Sequence, residues 1–345
     1  MTGTKVVAIV ASNREKCLQE FLVAWKSALW DEIIVVEDGP RRSMAIGEAH
    51  ELPIHHLSWA QIADDISVVD PKNFSRCDSA IQAYGFWAAI NLGADIVIAL
   101  DDDCFPVGSP GEYVAGHVAA LSPRPRWVPS IDESPTRGLP YFDRGSMPGA
   151  VANMGLWQGV ADYDAPQTLA LHRSGNLNQS YDPPSGSRLM HPQRYWPWCA
   201  MNIAFRREVA PLMYMPKMGE ESPYRRFDDI WCGIILQRSC RHLGLSLAVG
   251  EPHIRHPRAS DPLVNLEKEA PGIRANEDFW KIVEETPLSS VVKTPLACAE
   301  AIAAHLAVTG CHIAEASNPI LAAYLADEGL RMQAWCGMFR QAGWT

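Results

Sequence analysis

Three consecutive carboxylates, Asp101, Asp102 and Asp103, are the residues of this sequence best suited to chemistry. They follow Ile96-Val97-Ile98-Ala99-Leu100, an apolar run that reads as a strand buried on both faces. Adjacent carboxylates at the end of such a strand repel one another and lose solvation. A divalent cation, Mn²⁺ or Mg²⁺, relieves both penalties and suits an all-oxygen ligand set. If the strand stays extended, Asp101 and Asp103 point to one side and form the better ligand pair. The plainer alternative is a solvated acidic turn, with one Asp capping the helix that begins near Pro110. In open α/β sheets ligands bind at the carboxyl ends of strands, where this cluster falls.

Other residues could join it. His253 and His256 follow a short strand expected at 245–249, and His256 is the preferred further metal or phosphate contact. Asp228 and Asp229 head a helix running to about Leu243, where the helix dipole favours carboxylates whether or not they also act as acid or base. Asp38 follows the second strand and either bonds a ribose or base or only shapes its turn. Arg137 and Arg144 lie in a Pro- and Gly-rich stretch at 122–148, and guanidinium groups suit a diphosphate.

The elements that must position these residues begin with a strand at 5–11, a helix at 15–29 and a strand at 33–37, a β-α-β opening. A helix over 78–92 precedes the aspartate-tipped strand. Residues 40–75 and 173–195 read as irregular, and 195–205 as an aromatic patch entering a strand. After Pro271 the chain turns helical, with amphipathic helices at 295–308 and 319–339 that pack on the sheet or on a partner, which allows a homo-oligomer. No Gly-x-Gly-x-x-Gly follows the first strand, so neither flavin nor NAD is expected.

Of the 345 residues 47% are hydrophobic and 20% charged, enough for a sizeable core. A formal net charge of −10 argues against a nucleic-acid partner but not against a nucleotide ligand, which needs only local cations. Twelve Trp suit either flat pocket walls or simply the core. Nine Cys without Cys-x-x-Cys spacing, and no stretch approaching a membrane span, lead to a cytoplasmic protein with reduced thiols as the expectation.

Several blocks, in order, resemble the reversibly glycosylated polypeptides, or UDP-arabinopyranose mutases, of glycosyltransferase family 75. They include Val36-Glu37-Asp38-Gly39, Asp78-Ser79-Ala80, Asp101-Asp102-Asp103-Cys104-Phe105, Arg137-Gly138-Leu139-Pro140 with Arg144-Gly145, Gly155-Leu156-Trp157 and Asp162-Tyr163-Asp164-Ala165-Pro166. Cys199-Ala200-Met201-Asn202-Ile203-Ala204-Phe205, Arg226-Phe227-Asp228-Asp229-Ile230-Trp231, His242-Leu243-Gly244 and the block from His256 to Leu266 complete the set. The resemblance spans about 33 to 275. It implies a GT-A-like, Rossmann-type, mostly parallel α/β sheet over 1–275, with a helical extension at 276–345 packed on it. It further implies a metal-dependent nucleotide-sugar site at the three aspartates, with nucleotide-sugar contacts at Asp38, Asp78, Trp157 and Asn202; Arg14, in the loop and possible helix cap after the first strand, is expected as a further contact. The position of Arg137 is the glycosylated one in the family, and that of Arg144 is linked to activity.

Departures occur at Tyr141-Phe142-Asp143, at His253 and at Arg206-Arg207. They lean the expected substrate toward the GDP-linked L-hexoses (galactose or fucose type) of bacterial members. The expected activity is thus a flavin-independent pyranose–furanose mutase acting on an NDP-sugar. UDP-arabinopyranose mutation, metal-dependent glycosyl transfer, self-glycosylation and a non-catalytic binding subunit are the alternatives.

Overall fold

The computed structural model describes residues 3–46, 52–125, 142, 145–173, 181–219, 221–257, 260–315 and 317–345. Apolar, β-branched runs make β1 (Val6–Ser12), β2 (Glu32–Glu37) and β4 (Ile96–Asp101); β3 (Ile54–Leu57), Ile-His-His-Leu, lies between the last two, and a two-residue strand β5 (Phe105–Pro106) follows β4. Helices α1 (Glu15–Ala24), α2 (Trp59–Asp64) and α3 (Gln82–Asn91) connect them, and α4 (Pro110–Leu121) comes next. A small ribbon pairs β6 (Arg124–Pro125) with β7 (Ser146–Met147). Beyond it lie β8 (Ala152–Gly159), α5 (Ala165–Arg173), β9 (Arg188–Leu189), β10 (Asn202–Arg206), α6 (Asp228–Leu243) and β11 (Leu247–His256). Helices α7 (Pro262–Glu284), α8 (Pro295–His305), α9 (Cys311–Glu315) and α10 (Pro319–Gln341) complete the chain.

The sheet order is β3-β2-β1-β4-β10-β8-β11-β5, with β9 on the flank of β11. Strands β1 to β4 are mutually parallel, β10 runs antiparallel between β4 and β8, and β8 and β11 are parallel again. Six of the nine strands share one direction and β5, β9 and β10 oppose them, a mixed, largely parallel sheet of the expected α/β, GT-A-like class. Direction decides what meets at one edge. The carboxyl ends of β1, β2, β4, β8 and β11 fall on the same side, and so does the amino end of antiparallel β10. Ser12, Asp38, Asp101, Asn202, Gly159 and His256 all lie along that edge.

Helix starts follow a repeated local rule. Ser109, Asp261, Thr294 and Asn318 each cap a helix by accepting a backbone N–H, and each is followed by Pro at the first helical position. The cap before Pro110 is therefore Ser109, which leaves the three aspartates without that duty. Trp25, Trp87, Trp231 and Trp335 are fully buried, so for them the core reading holds.

Several expectations change. Helix α7 begins at Pro262, ten residues before the expected helical stretch, and carries Pro271 inside it; the expected boundary at 275 falls within this helix. Strand β11 runs on through Gly-Glu-Pro to His256, so His253 and His256 lie in a strand rather than after one. A bulge between Gly250 and Ile254 absorbs the irregular residues. Gly250 sits there at φ 135, and a Cβ on it would lie 2.2 Å from the Gly186 carbonyl oxygen. The stretch Pro295–Glu315, which joins α8 and α9 through one π-helical turn, is long and apolar enough by length and composition to cross a membrane. Leu296, Ile302 and Leu306 are instead buried, and α8 packs on α10.

Candidate functional site

At the tip of β4 the three aspartates have different surroundings. Asp102 is buried and fully engaged: its Oδ2 accepts the Ser12 hydroxyl at 2.5 Å and Arg14 Nε at 3.2 Å, and its Oδ1 accepts Arg14 Nη2. Arg14 is thus a fork on the acidic turn, and the same Nη2 reaches Asp103 Oδ2 at 3.0 Å. Asp101 accepts the Gln82 amide at 3.0 Å. Burial, then the charges of Asp103, Asp102 and Asp162, push the Asp101 carboxyl up to about 7. The arrangement favours a positive partner beyond Arg14.

His256 stands opposite Asp103. Its Nδ1 lies 3.1 Å from the Val160 carbonyl oxygen, which can only accept, so Nδ1 carries the proton. In the neutral ring, Nε2 then presents a lone pair to Asp103 Oδ1, 3.9 Å away and too far for a hydrogen bond. Among the described residues, no three His, Cys, Asp or Glu side chains converge as a complete metal shell. This is still the donor chemistry of a Mg²⁺- or Mn²⁺-type site, in which one or two carboxylates share the ion with substrate phosphates. Asp103 and Asp101 have the capacity for it, whereas Asp102 is committed to Arg14 and Ser12.

A second acidic group lies at the amino end of α6. Asp228 is buried and accepts the Ser79 hydroxyl at 2.7 Å. Asp229, half-buried, accepts the Ala200 amide at 3.0 Å and the Ile230 amide at 2.8 Å. Burial, then the charges of Asp228 and Asp162, push the Asp229 carboxyl well above the usual carboxylate range. Asp78 is raised likewise, by burial and then by Asp228. Helix α6 is held in place by Trp231, whose ring stacks on Phe279 of α7 at 4.2 Å and whose indole N–H donates to Asn276.

One short segment ties these groups together. The amides of Cys77 and Asp78 donate to Asp38, Ser79 donates to Asp228, and Gln82 donates to Asp101. Asp38 also accepts the Trp59 indole N–H at 2.8 Å, so its carboxylate shapes the loop around β2. Arg76 lies 4.8 Å over that Trp59 ring. Trp157, near the end of β8, is nearly buried, and its indole N–H has no hydrogen-bond partner among the described residues.

Asn202 is different. It is fully buried and spends its whole amide internally: Oδ1 accepts the Tyr113 hydroxyl at 2.7 Å, and Nδ2 donates to the carbonyls of Leu156 and Pro252. His117 and Asn153 extend this network to the Glu251 carbonyl, behind the β11 bulge. As placed, Asn202 offers no surface to a ligand. Gly155 lies against it, and a Cβ there would sit 2.2 Å from Asn202 Nδ2 and 2.3 Å from the Pro252 oxygen. Gly155→Ala is therefore expected to cost about 1–3 kcal/mol in denaturant unfolding. An unchanged midpoint would show that this packing is not held.

The structure thus brings Arg14, Asp101, Asp102, Asp103 and His256 together, with Asp38, Asp78, Asp228 and Asp229 linked to them through residues 77–82. Arg137 and Arg144 lie outside the described residues. Two groups that spacing did not single out also belong to the crevice. Asp162 accepts the Cys199 thiol at 2.9 Å and adds its charge to Asp101 and Asp229. Arg226 precedes α6 and is anchored on buried Glu269 at 2.8 Å.

Comparison with known proteins adds the following. A family model described as "Reversibly glycosylated polypeptide" matches residues 3–341. UDP-arabinopyranose mutase 1 of Arabidopsis thaliana is 31% identical over 299 residues, covering 81% of this chain and 79% of the relative. Probable UDP-arabinopyranose mutase 1 of Pisum sativum is 31% identical over 290 residues, covering 78% and 75%. UDP-arabinopyranose mutase 1 of Oryza sativa subsp. japonica is 30% identical over 299 residues, covering 81% and 78%.

Proposed function

The chain belongs to the reversibly glycosylated polypeptide family, and on that premise we propose that it interconverts the pyranose and furanose forms of a UDP-linked sugar of the arabinose type. The observation that carries this reading is the 31% identity to a UDP-arabinopyranose mutase across 81% of the chain. These relatives are named for UDP-arabinopyranose, which favours UDP over the GDP-L-hexose toward which the sequence departures lean.

The crevice suits the chemistry. Exchanging a six- for a five-membered ring breaks the bond from the anomeric carbon to the diphosphate, whose oxygen leaves with the electron pair. The ring bond then passes from one sugar oxygen to another, a proton moves between those oxygens, and the diphosphate is recaptured. The balance is non-redox. Asp101 and Asp103, with His256 adjoining, would hold a Mn²⁺ or Mg²⁺ ion, which would supply positive charge to stabilise the leaving group. Arg14 holds the acidic turn in shape for that role, and Arg137 and Arg144 would add positive charge. Asp229 serves the proton shift: it is half-buried, and burial with the charges of Asp228 and Asp162 raises its carboxyl, which favours the proton-holding form. Asp228, buried beside it and holding the Ser79 hydroxyl, adds the charge that helps to raise Asp229.

The test is incubation with UDP-arabinopyranose and Mn²⁺ and no acceptor, with GDP-L-galactose in parallel. A second, isomeric UDP-sugar is expected by chromatography. Isomer formation only in the GDP arm would move the substrate class, and none in either arm would sink the mutase reading.

A further inference from the structure

We propose that Arg226 and Asp162 grip the sugar hydroxyls of the substrate, an inference that rests on the nucleotide-sugar reading of the crevice. Arg226 is built to present donors. Its Nε is fixed by Glu269 Oε1 at 2.8 Å, and Glu269 is itself buried, with its other oxygen taking the Ala165 amide at 2.7 Å. Neither Nη atom of Arg226 has a hydrogen-bond partner among the described residues, and the side chain is 38% exposed. Arg14, by contrast, spends Nε and Nη2 on Asp102 and Asp103. The backbone of Arg226 sits at φ 66, in the left-handed region that a long side chain rarely occupies. The Glu269 anchor and the start of α6 hold it there.

Asp162 complements this cation without pairing to it: no ion pair joins the two, yet each lies within electrostatic range of the other. Asp162 Oδ2 takes the Cys199 thiol and Asp229 takes the amide of the next residue, Ala200, so the two carboxylates are neighbours, and the charge of Asp162 also reaches Asp101. A diphosphate at this end would meet Asp162 and Asp229 without the cation that Asp101 and Asp103 would hold at the β4 tip, and would be repelled. A sugar hydroxyl is both donor and acceptor, so it bonds a guanidinium and a carboxylate at once. The sugar end of the crevice is thus at Arg226 and Asp162, and the diphosphate end at the β4 tip.

Calorimetric titration with UDP-arabinopyranose and with UDP separates the two ends. For Arg226→Gln and Asp162→Asn, affinity for the UDP-sugar is expected to fall about tenfold. Affinity for UDP is expected to stay within about twofold of wild type. Equal losses for both ligands, no loss for either, or a wild type that binds the two ligands equally would overturn the proposal. Arg226→Gln strips Glu269 of its ion partner. If that variant does not fold, Asp162→Asn, which leaves the anchor untouched, decides by the same criterion. Binding is read without turnover, so a wild type that binds the UDP-sugar but never isomerises it would sink the mutase reading and leave this one standing.

Discussion

Asp103→Asn should lower the isomerisation rate about a hundredfold or more while leaving the fold intact. Asp103 is nearly buried, shares Arg14 with Asp102 and faces the lone-pair side of His256 at 3.9 Å. Asn removes the charge and one acceptor, but Arg14 keeps its fork on Asp102 and Ser12 keeps its bond. Little stability is therefore at stake. Asp102→Asn makes the contrast. It disturbs the bonds from Ser12 and Arg14 at a buried position, so it should lower stability by about 1–3 kcal/mol. The half-exposed Arg14 recovers some of its hydration, which keeps the loss below that of a fully buried pair. Rates and thermal midpoints of both variants, with wild type treated with EDTA and then resupplied with Mn²⁺, form the experiment. A fully active Asp103→Asn together with an EDTA-insensitive wild type would remove the metal from the proposal.

The parts of this site that could be read from sequence are those made by neighbours in the chain. The β4 tip was legible because five apolar residues run into three carboxylates, and the amino end of α6 because paired aspartates precede a helical pattern. What escaped was made by distant residues or broken periodicity. Strand β8 carries Asn153 and Gly155 toward a buried polar network, so neither alternation nor an apolar run marks it. Strand β3 holds His55 and His56, which stay half-buried by pairing with Glu32 and Glu37 on β2, and it reads as loop for that reason. The strand expected at 245–249 ends short of the real one because a bulge, invisible to a period-two pattern, carries β11 on to His256. Arg226 owes its pose to Glu269, 43 residues away, and no local spacing announces that bond. Asn202 is a different case. A motif marked it for the ligand, whereas its amide is wholly spent inside the core.

Arg137→Lys carries the largest expected loss of turnover with the smallest loss of binding. Arg137 stands in a block shared with the family, Arg137-Gly138-Leu139-Pro140, and the chemistry of its side chain sets the expectation. Lysine keeps one positive charge but loses the planar fork and the delocalised nitrogens of a guanidinium. If Arg137 only neutralised phosphate, Lys would retain much of the activity. A role in holding or capturing the sugar while its ring reopens needs the guanidinium itself. Isomerisation is then expected to fall at least about a hundredfold, with UDP affinity within about threefold of wild type. Arg144→Lys should instead weaken UDP and UDP-sugar binding together, as expected of a diphosphate contact. Intact mass after incubation with the UDP-sugar adds the decisive reading. A glycosyl increment on wild type that is absent from Arg137→Lys would mark a covalent step at this residue. Loss of activity without any increment on wild type would leave Arg137 as an ion-pair partner of the departing sugar. Full activity in Arg137→Lys would show that the role taken from the family does not hold at this position.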